Sequence, residues 1–279
     1  MKPPQHISDW LKFNSFLSEQ EIHLEKIINS LEGFHSTYQY QIVLHNFLQR
    51  YYLNFISIKN IWGNFLKNSK FKFPVYLLLR SLITDNILMV YLIESLKFEK
   101  AANDEQGAPR FKAHEVEFIE RYRKASNPFF LKIEKEIETR IATKEITPDQ
   151  ASELLKEERE KYPEQFEPGS KLKVKRMDGL GPGEMIKFLN KQGRSEFTGI
   201  YEYYLYFSQF EHFTAKTEEF MQRDRDDEFE HLKRAAELLL RGLELNLMTL
   251  QLPKDFIEKS KLLRASFINM FWPDDQNEM

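Results

Sequence analysis

Apolar residues recur at intervals of three and four along most of the chain, and sustained alternation of apolar and polar residues is absent. Residues three or four apart share one face of a helix, so this spacing predicts amphipathic helices rather than strands. The chain also has only 10 glycines, which is typical of long helices. The predicted helices cover residues 8–16, 19–32, 36–67, 74–98, 112–125, 129–146, 149–161, 183–192, 197–222, 226–251 and 254–270.

Short polar residues mark several predicted helix starts. In a capping box, a Ser or Thr side chain and a Glu or Gln three residues later each accept a backbone N–H. The pairs with this spacing are Ser18–Glu21, Ser36–Gln39 and Thr147–Gln150. Pro148 adds to the last of these, because proline suits the first helical position. Gly33 is placed to end the helix before Ser36, and Pro253 separates the last two helices.

The charged and aromatic residues divide this helical string into three parts. Residues 99–193 hold 19 basic and 19 acidic side chains, against 10 and 7 in residues 1–98. Aromatic residues number 17 in residues 1–98, 8 in 99–193 and 14 in 194–279. We therefore predict an all-α fold, a multi-helix bundle built from 1–98 and 194–279. A charged helical insertion, 99–193, forms a solvated arm or a partner surface.

The overall composition excludes several kinds of chemistry. The net charge is −3 and the isoelectric point is about 6.2, so the whole molecule does not favour binding to nucleic acid. The chain has no cysteine, which excludes disulfides, zinc–thiolate sites, iron–sulfur clusters and thiol nucleophiles. No nucleotide or cofactor motif is found, and we expect no cofactor.

The most apolar segment of the chain is 75–96, but Arg80, Asp85 and Glu94 interrupt it. A membrane span needs about 20 residues with few or no charges. The first residues also lack the apolar run of a signal peptide. We therefore expect a buried helix here, in a soluble cytoplasmic protein without a membrane partner.

The stretch 201–214, "YEYYLYFSQFEHFT", is dense in aromatic residues and contains one histidine, His212. On a helix, Tyr201, Tyr204, Ser208 and His212 share one side, and an apolar face lies opposite. His212 is either a core histidine satisfied by a neighbouring hydroxyl or carboxylate, or a ligand-binding or catalytic group. In the second case, Tyr201 and Tyr204 are candidate ligand contacts.

The predicted central helix carries two costly polar residues, Arg80 and Asp85. A buried arginine needs a carboxylate or several acceptors. Five positions separate the two residues, so they point about 140° apart and are expected to serve different neighbours. Arg80 either ties helices together or belongs to a functional site.

The segments "LLLRSLITDNI" (77–87) and 201–214 together resemble an uncharacterised, mainly bacterial helical family, domain of unknown function five-six-seven-seven. Its pattern is an Arg-Ser-Leu helix with an acidic residue five positions after the arginine, and a later Ser with His four positions on. Arg80, Asp85, Ser208 and His212 fall on these positions. The family usually has Glu where this chain has Asp85. The resemblance implies an all-helical fold and an Arg/acid/Ser/His cluster, without an activity.

"RDDEFEH" (225–231) fits the Arg-x4–6-His pattern of HEPN ribonucleases, which makes Arg225 and His231 candidate catalytic residues. That resemblance implies a dimeric, metal-independent RNA-cleaving site. On a continuous helix the two side chains point about 120° apart. Glu228 and His231 match the E-x-x-H pair of di-iron bundles. That chemistry needs two such pairs and two further glutamates that face one another, and we expect no metal.

A basic, glycine-containing loop is predicted at 169–183. It contains Lys171, Lys173, Lys175 and Arg176, which could contact phosphate or an acidic partner. Alternation of Lys with Leu and Val could make a short strand or an extended arm here. The alternative is a long solvated loop.

These patterns support three functions, and they leave open whether the protein is an enzyme. The first is a helical interaction or sensing module of a bacterial-type stress or antiviral-defence system, which binds a protein partner or a small ligand. The second is a HEPN-like ribonuclease toxin or effector that acts on RNA. The third is a scaffold that self-associates through Phe271 and Trp272 as a homodimer.

Overall fold

The computed structural model describes residues 5–36, 38–67, 72–96, 107–177, 180–209 and 225–273, with backbone alone at 5–7, 65–67, 107–114 and 225–228. The chain is 82% helical, with ten α-helices and no strand among these residues, which confirms the all-α bundle. The helices are α1 (Gln5–Ser30), α2 (Gln39–Lys67), α3 (Lys72–Glu94), α4 (Gly107–Ala142), α5 (Pro148–Leu154), α6 (Lys156–Lys161), α7 (Pro182–Lys191), α8 (Thr198–Ser208), α9 (Arg225–Thr249) and α10 (Lys254–Phe271).

The first two predicted helices are one, so the prediction of a helix start at Ser18 was wrong. Ser18 lies inside α1, and its hydroxyl donates to the carbonyl of Asn14 at 3.3 Å. Phe16, Gln20 and Leu24 are buried in succession on both sides of it. This apolar stripe packs continuously against α2 and α10, and tertiary packing overrides the local capping signal.

Other predicted helix ends are confirmed. Gly33 follows α1 with a φ of +74°, the left-handed conformation that commonly terminates helices at glycine. Thr147 forms a complete capping box with Gln150 at the start of α5. The Ser36 signal is the exception, because α2 begins at Gln39 rather than at 36. The Ser36 hydroxyl accepts the backbone N–H of Tyr38 at 3.0 Å and donates to Gln41, so the predicted capping box with Gln39 is not what holds this turn.

α3 is the central helix of the bundle. It packs against α2, α4, α7, α8 and α9, and residues on all its sides are buried. By length and apolar composition alone it could also cross a membrane. Most of its apolar segment is covered by other helices of the same chain, as in the core helix of a soluble protein.

Residues 112–125 and 129–146 were predicted as two helices, but they form the single helix α4 with Pro128 inside it. Asn127, next to the proline, is fully buried. Its side chain forms hydrogen bonds with the segment that follows α6. Its Nδ2 donates to Gln165 Oε1 at 3.0 Å and to the carbonyl of Lys175 at 2.8 Å. Pro128 cannot donate a helical hydrogen bond. In the preceding turn, Gln165 Nε2 donates to the carbonyl of Arg123 at 3.0 Å, so a side chain from the following loop also holds the α4 backbone here.

Two hydrophobic clusters lie along the chain. The main cluster joins α1, α2, α3, α7, α8, α9 and α10 to the first half of α4 through Phe118 and Ile119. The second cluster consists of Phe130, Ile137, Ala151, Leu155, Phe166 and Val174. These clusters do not follow the predicted boundaries at 98/99 and 193/194, since α7 and part of α4 lie in the main core.

The predicted basic loop returns along α4 in extended form. Phe166 and Val174 form an isolated antiparallel bridge, flanked by hydrogen bonds between Glu167 N and Lys173 O and between Lys175 N and Gln165 O. This is shorter than a strand, and it agrees with the extended-arm alternative.

Candidate functional site

Arg80 and Ser208, predicted from separate segments, are in contact. Arg80 Nε donates to Ser208 Oγ at 3.0 Å, and the guanidinium lies over the ring of Tyr204, 5.6 Å from its centroid. Ser208 Oγ donates in turn to the carbonyl of Tyr204 at 2.6 Å. The hydroxyl proton is therefore held by the backbone, and this arrangement ties α3 to α8.

Tyr201 and Tyr204 stack on each other, with centroids 5.8 Å apart and ring planes 15° from parallel. Gly183, at the start of α7, allows this placement, because a Cβ there would lie 2.9 Å from the Tyr201 hydroxyl oxygen. Both tyrosines are partly exposed, so the pair offers an aromatic surface beside Arg80.

Asp85 serves a different neighbour from Arg80, as predicted from the helical angle. Its Oδ1 pairs with Arg50 Nη2 of α2 at 3.1 Å. Its Oδ2 is buried and has no hydrogen-bond partner among the described residues. Burial raises the pKa of Asp85 to about 6, and Arg50 opposes part of that rise. Asp85 and Arg80 therefore do not form one cluster.

Two of the predicted site residues lie outside the described side chains, and a third, His231, packs between two helices. His212 lies outside the described residues, and Arg225 is described by its backbone alone, as the first residue of α9. His231 is half-buried and stacks on Tyr206 with centroids 4.4 Å apart, with the edge of Tyr203 at 6.1 Å. These contacts anchor α9 to α8.

The basic loop is partly neutralised by α4. Lys173 Nζ pairs with Glu138 at 2.5 Å and with Glu134 at 3.6 Å. Lys171, Lys175 and Arg176 are exposed, and within the described part of the chain none of them forms a salt bridge. The loop thus presents three cations, spread along an extended backbone, rather than the four predicted.

A wide cleft between the helices was not predicted from the sequence. It has a volume of about 1090 Å³ and lies between the ends of α3, α7 and α9 and the first half of α4. Its apolar floor includes Ile93, Phe188, Leu245 and Met248, and three arginines and four glutamates surround that floor. No lysine lines it, although the chain is rich in lysine.

Local structure positions each arginine of this cleft. α7 ends in a Schellman motif, in which Gly193 has a φ of +81° and Arg194 N donates to the carbonyl of Leu189 at 3.0 Å. This turn directs Arg194 to Glu94, with Nε to Oε2 at 2.8 Å, and to Glu196 at 3.3 Å. The hydrogen bond with Glu94 raises the pKa of the Arg194 guanidinium.

Arg121 of α4 is held between two aromatic rings. Its guanidinium carbon lies 4.6 Å from the Phe188 centroid and 5.0 Å from that of Tyr91. Nη2 pairs with Glu117 at 2.5 Å. On the opposite side, Arg241 pairs with Glu237 at 3.0 Å. The arginines are thus pre-organised and charge-balanced, which suits recognition more than acid–base catalysis.

A buried histidine–serine pair was also missed. His23 of α1 and Ser260 of α10 are almost fully buried, with Nε2 and Oγ 2.7 Å apart. Burial, with a smaller effect from Lys259, lowers the pKa of His23 to about 4. Neither residue lines a described cavity, so the pair is a neutral link between the two helices.

Among the described residues, no group of three or more His, Asp and Glu side chains could hold a metal ion. Comparison of the chain with family models, with curated proteins and with solved structures finds no match.

Proposed function

We propose that the protein is a helical interaction module, and that its cleft between α3, α4, α7 and α9 binds a protein partner. The observation that carries this proposal is the composition of the cleft, where aromatic, methionine and paired arginine side chains surround an apolar floor. Protein interfaces are enriched in aromatic residues, methionine and arginine, and depleted in lysine. The cleft has the same bias.

The size of the cleft favours a protein segment over a small ligand. Small-molecule pockets usually measure about 300–1,000 Å³ and enclose most of their ligand. This cleft is at the upper limit and open to solvent along one side. The lining indicates the chemistry of the partner segment. An apolar side chain of the partner would pack against Phe188 and Met248, and charged residues on either side of it would pair with the glutamates and arginines of the cleft.

The cellular setting is part of this proposal. A soluble protein agrees with the burial of α3 inside the bundle. The cytoplasmic location and the role in a stress or antiviral-defence system stay predictions. The resemblance to domain of unknown function five-six-seven-seven stays a prediction. So does the ribonuclease alternative, which rests on Arg225 and His231. RNA that stays intact with the pure protein, or that is cut equally by His231→Ala, would remove that alternative.

The decisive experiment uses a lysine substitution on the cleft floor. Met248 is 50% exposed, so Met248→Lys leaves the core intact and places a charge where the partner's apolar residue would sit. A protein that co-purifies with the full chain is identified, prepared in pure form and titrated against wild type and variant by calorimetry. We expect its Kd to rise at least tenfold.

The matched control is Leu262→Lys on α10, since Leu262 is 64% exposed and does not line the cleft. It should bind like wild type. Equal affinity of wild type and Met248→Lys would refute the cleft as the binding surface. Light scattering tests whether the partner is a second copy of the chain. In that case the apparent mass of wild type rises with protein concentration, and that of Met248→Lys does not.

A further inference from the structure

A small cavity of about 40 Å³ lies in the main core, between α1, α2, α3 and α9. Its lining is almost entirely apolar and aromatic, and includes Phe16, Phe55, Leu79 and Leu239. About 10–15 Å³ of such space holds one water molecule, so this cavity has room for a larger group. Well-packed cores contain few such spaces, so this one needs an explanation.

One amide side chain faces this cavity. Gln20 of α1 lines it and is only 1% exposed. Neither Nε2 nor Oε1 of Gln20 has a hydrogen-bond partner among the described residues. A buried amide without partners lowers the stability of the fold, and a leucine of similar size would avoid that cost. The unpaired amide therefore points to a bound group that pairs with it.

We propose that this cavity binds a small neutral molecule that combines an apolar body with an adjacent hydrogen-bond donor and acceptor, as in a primary amide. Such a molecule accepts from Gln20 Nε2 and donates to Gln20 Oε1, which satisfies both atoms at once. Its apolar body fills the space beside Phe55 and Leu79.

The lining distinguishes this ligand from two others. No charged residue lines the cavity, so an ionised carboxylate or an ammonium group would be buried without a counter-charge. Besides Gln20, the polar side-chain atoms of the lining belong to Tyr51 and Trp62. A single water molecule at these atoms would leave the apolar part of the cavity unfilled. A neutral amide group matches both the polarity and the hydrogen-bonding capacity of the site.

The test compares two molecules of the same shape, acetamide and acetone, which differ in the N–H donor. Each is titrated into the full-length protein, and NMR follows the methyl groups of Leu79 and Leu239. We expect saturable shifts with acetamide, and a Kd at least tenfold lower than that for acetone. Gln20→Leu should remove this preference and should unfold at a higher temperature than wild type, which shows that the variant folds.

Gln49→Leu, an exposed change of the same type on α2, should keep the preference for acetamide. The proposal is overturned if acetamide gives no saturable shift, if both probes bind equally, or if Gln20→Leu retains the preference. None of these outcomes depends on the protein-binding cleft, because the two sites share no lining residue.

Discussion

Two titratable side chains, Asp85 and His23, make the stability of this bundle depend on pH. Both are largely buried, and burial favours the uncharged form of each side chain. It raises the pKa of Asp85 to about 6 and lowers the pKa of His23 to about 4. The two shifts change stability with pH in opposite directions, since the acid is neutral when protonated and the histidine when deprotonated.

The Asp85 shift predicts a stability cost at neutral pH. The pKa in the folded state, about 6, lies above the reference value of 3.8, so the folded protein keeps a proton that the unfolded chain has lost. Stability from this residue is therefore present below pH 4 and lost as the pH rises to 6. A shift of about two units corresponds to about 3 kcal/mol.

Asp85→Asn removes this titration and keeps the shape of the side chain. The unfolding free energy of the variant, minus that of wild type, should rise by about 1–3 kcal/mol between pH 4 and pH 6 and then stay level. Urea unfolding at a series of pH values measures it, and His23 contributes equally to both proteins. A difference that stays constant from pH 4 to 6 would contradict the assignment. Arg50→Gln should extend the upper end of the window to higher pH, because Arg50 lowers the pKa of Asp85 in the folded state.

Some of these residue-level contacts could be predicted from the sequence, and others could not. Helical angles alone indicate that Arg80 and Asp85 diverge. The contact of Ser208 with Arg80 agrees with the cluster that the family resemblance implies, although helical angles and spacing do not indicate it. The partner of Asp85 could not be predicted, because Arg50 lies on another helix whose rotation depends on packing.

At the scale of the helices, contact between α3 and α9 depends on one glycine. A Cβ at Gly242 would lie 1.9 Å from Asn86 Nδ2 and 2.6 Å from its Cγ. Asn86 is 3% exposed, so its side chain has little space into which it could move. Glycine in a helix costs about 1 kcal/mol relative to alanine. The close approach of α3 to α9 at this position explains why a glycine is present despite that cost.

Gly242→Ala should destabilise the protein by about 1–3 kcal/mol, the usual cost of an oversized group in a packed core. Gly63→Ala is the matched control, because nothing lies within 4 Å of a Cβ there and α2 should gain stability. Chemical denaturation of both variants gives the comparison. In an Asn86→Ala background, Gly242→Ala should cost less, and full additivity of the two changes would show that they do not interact.

The helical type of these segments was predictable because their apolar periodicity is long and regular. Their number was not: two predicted pairs are the single helices α1 and α4, and the predicted helix 149–161 is divided into α5 and α6. Their ends were also less predictable. Ser18 has the local signature of a helix start, and Pro128 that of a helix break, yet packing carries α1 and α4 through both positions. A helix cap at Ser18 would stabilise the protein by about 1 kcal/mol. Burial of the apolar side chains around Ser18 in one continuous helix stabilises it by more.

At the scale of the whole molecule, the chain forms two packed regions joined by α4. Phe118 belongs to the main cluster and Phe130 to the second, so one helix enters both. The cleft lies where α4 leaves the main cluster, and its lining comes from segments more than a hundred residues apart. No sequence pattern links such positions, which is why the cleft could not be predicted.

Asn127 is the residue that fixes the second region to α4. Its side chain donates to Gln165 and to the carbonyl of Lys175, and its Oδ1 accepts from Met177 N at 3.1 Å. Asn127→Ala leaves these buried partners unsatisfied, which should cost about 2–4 kcal/mol across the three hydrogen bonds. Because the second cluster is small, that loss should open it while the main cluster stays folded.

Hydrogen exchange read by mass spectrometry checks this directly. In Asn127→Ala, exchange should increase by tenfold or more across residues 127–177 and remain at the wild-type level in α2 and α3. Asn14→Ala, an exposed change on α1, should leave both regions unchanged. Uniform acceleration along the chain would mean that the two clusters unfold together. Local opening would instead give the protein a mobile region next to its proposed binding cleft, since α4 contributes Arg121 to that cleft and Asn127 to the region that opens.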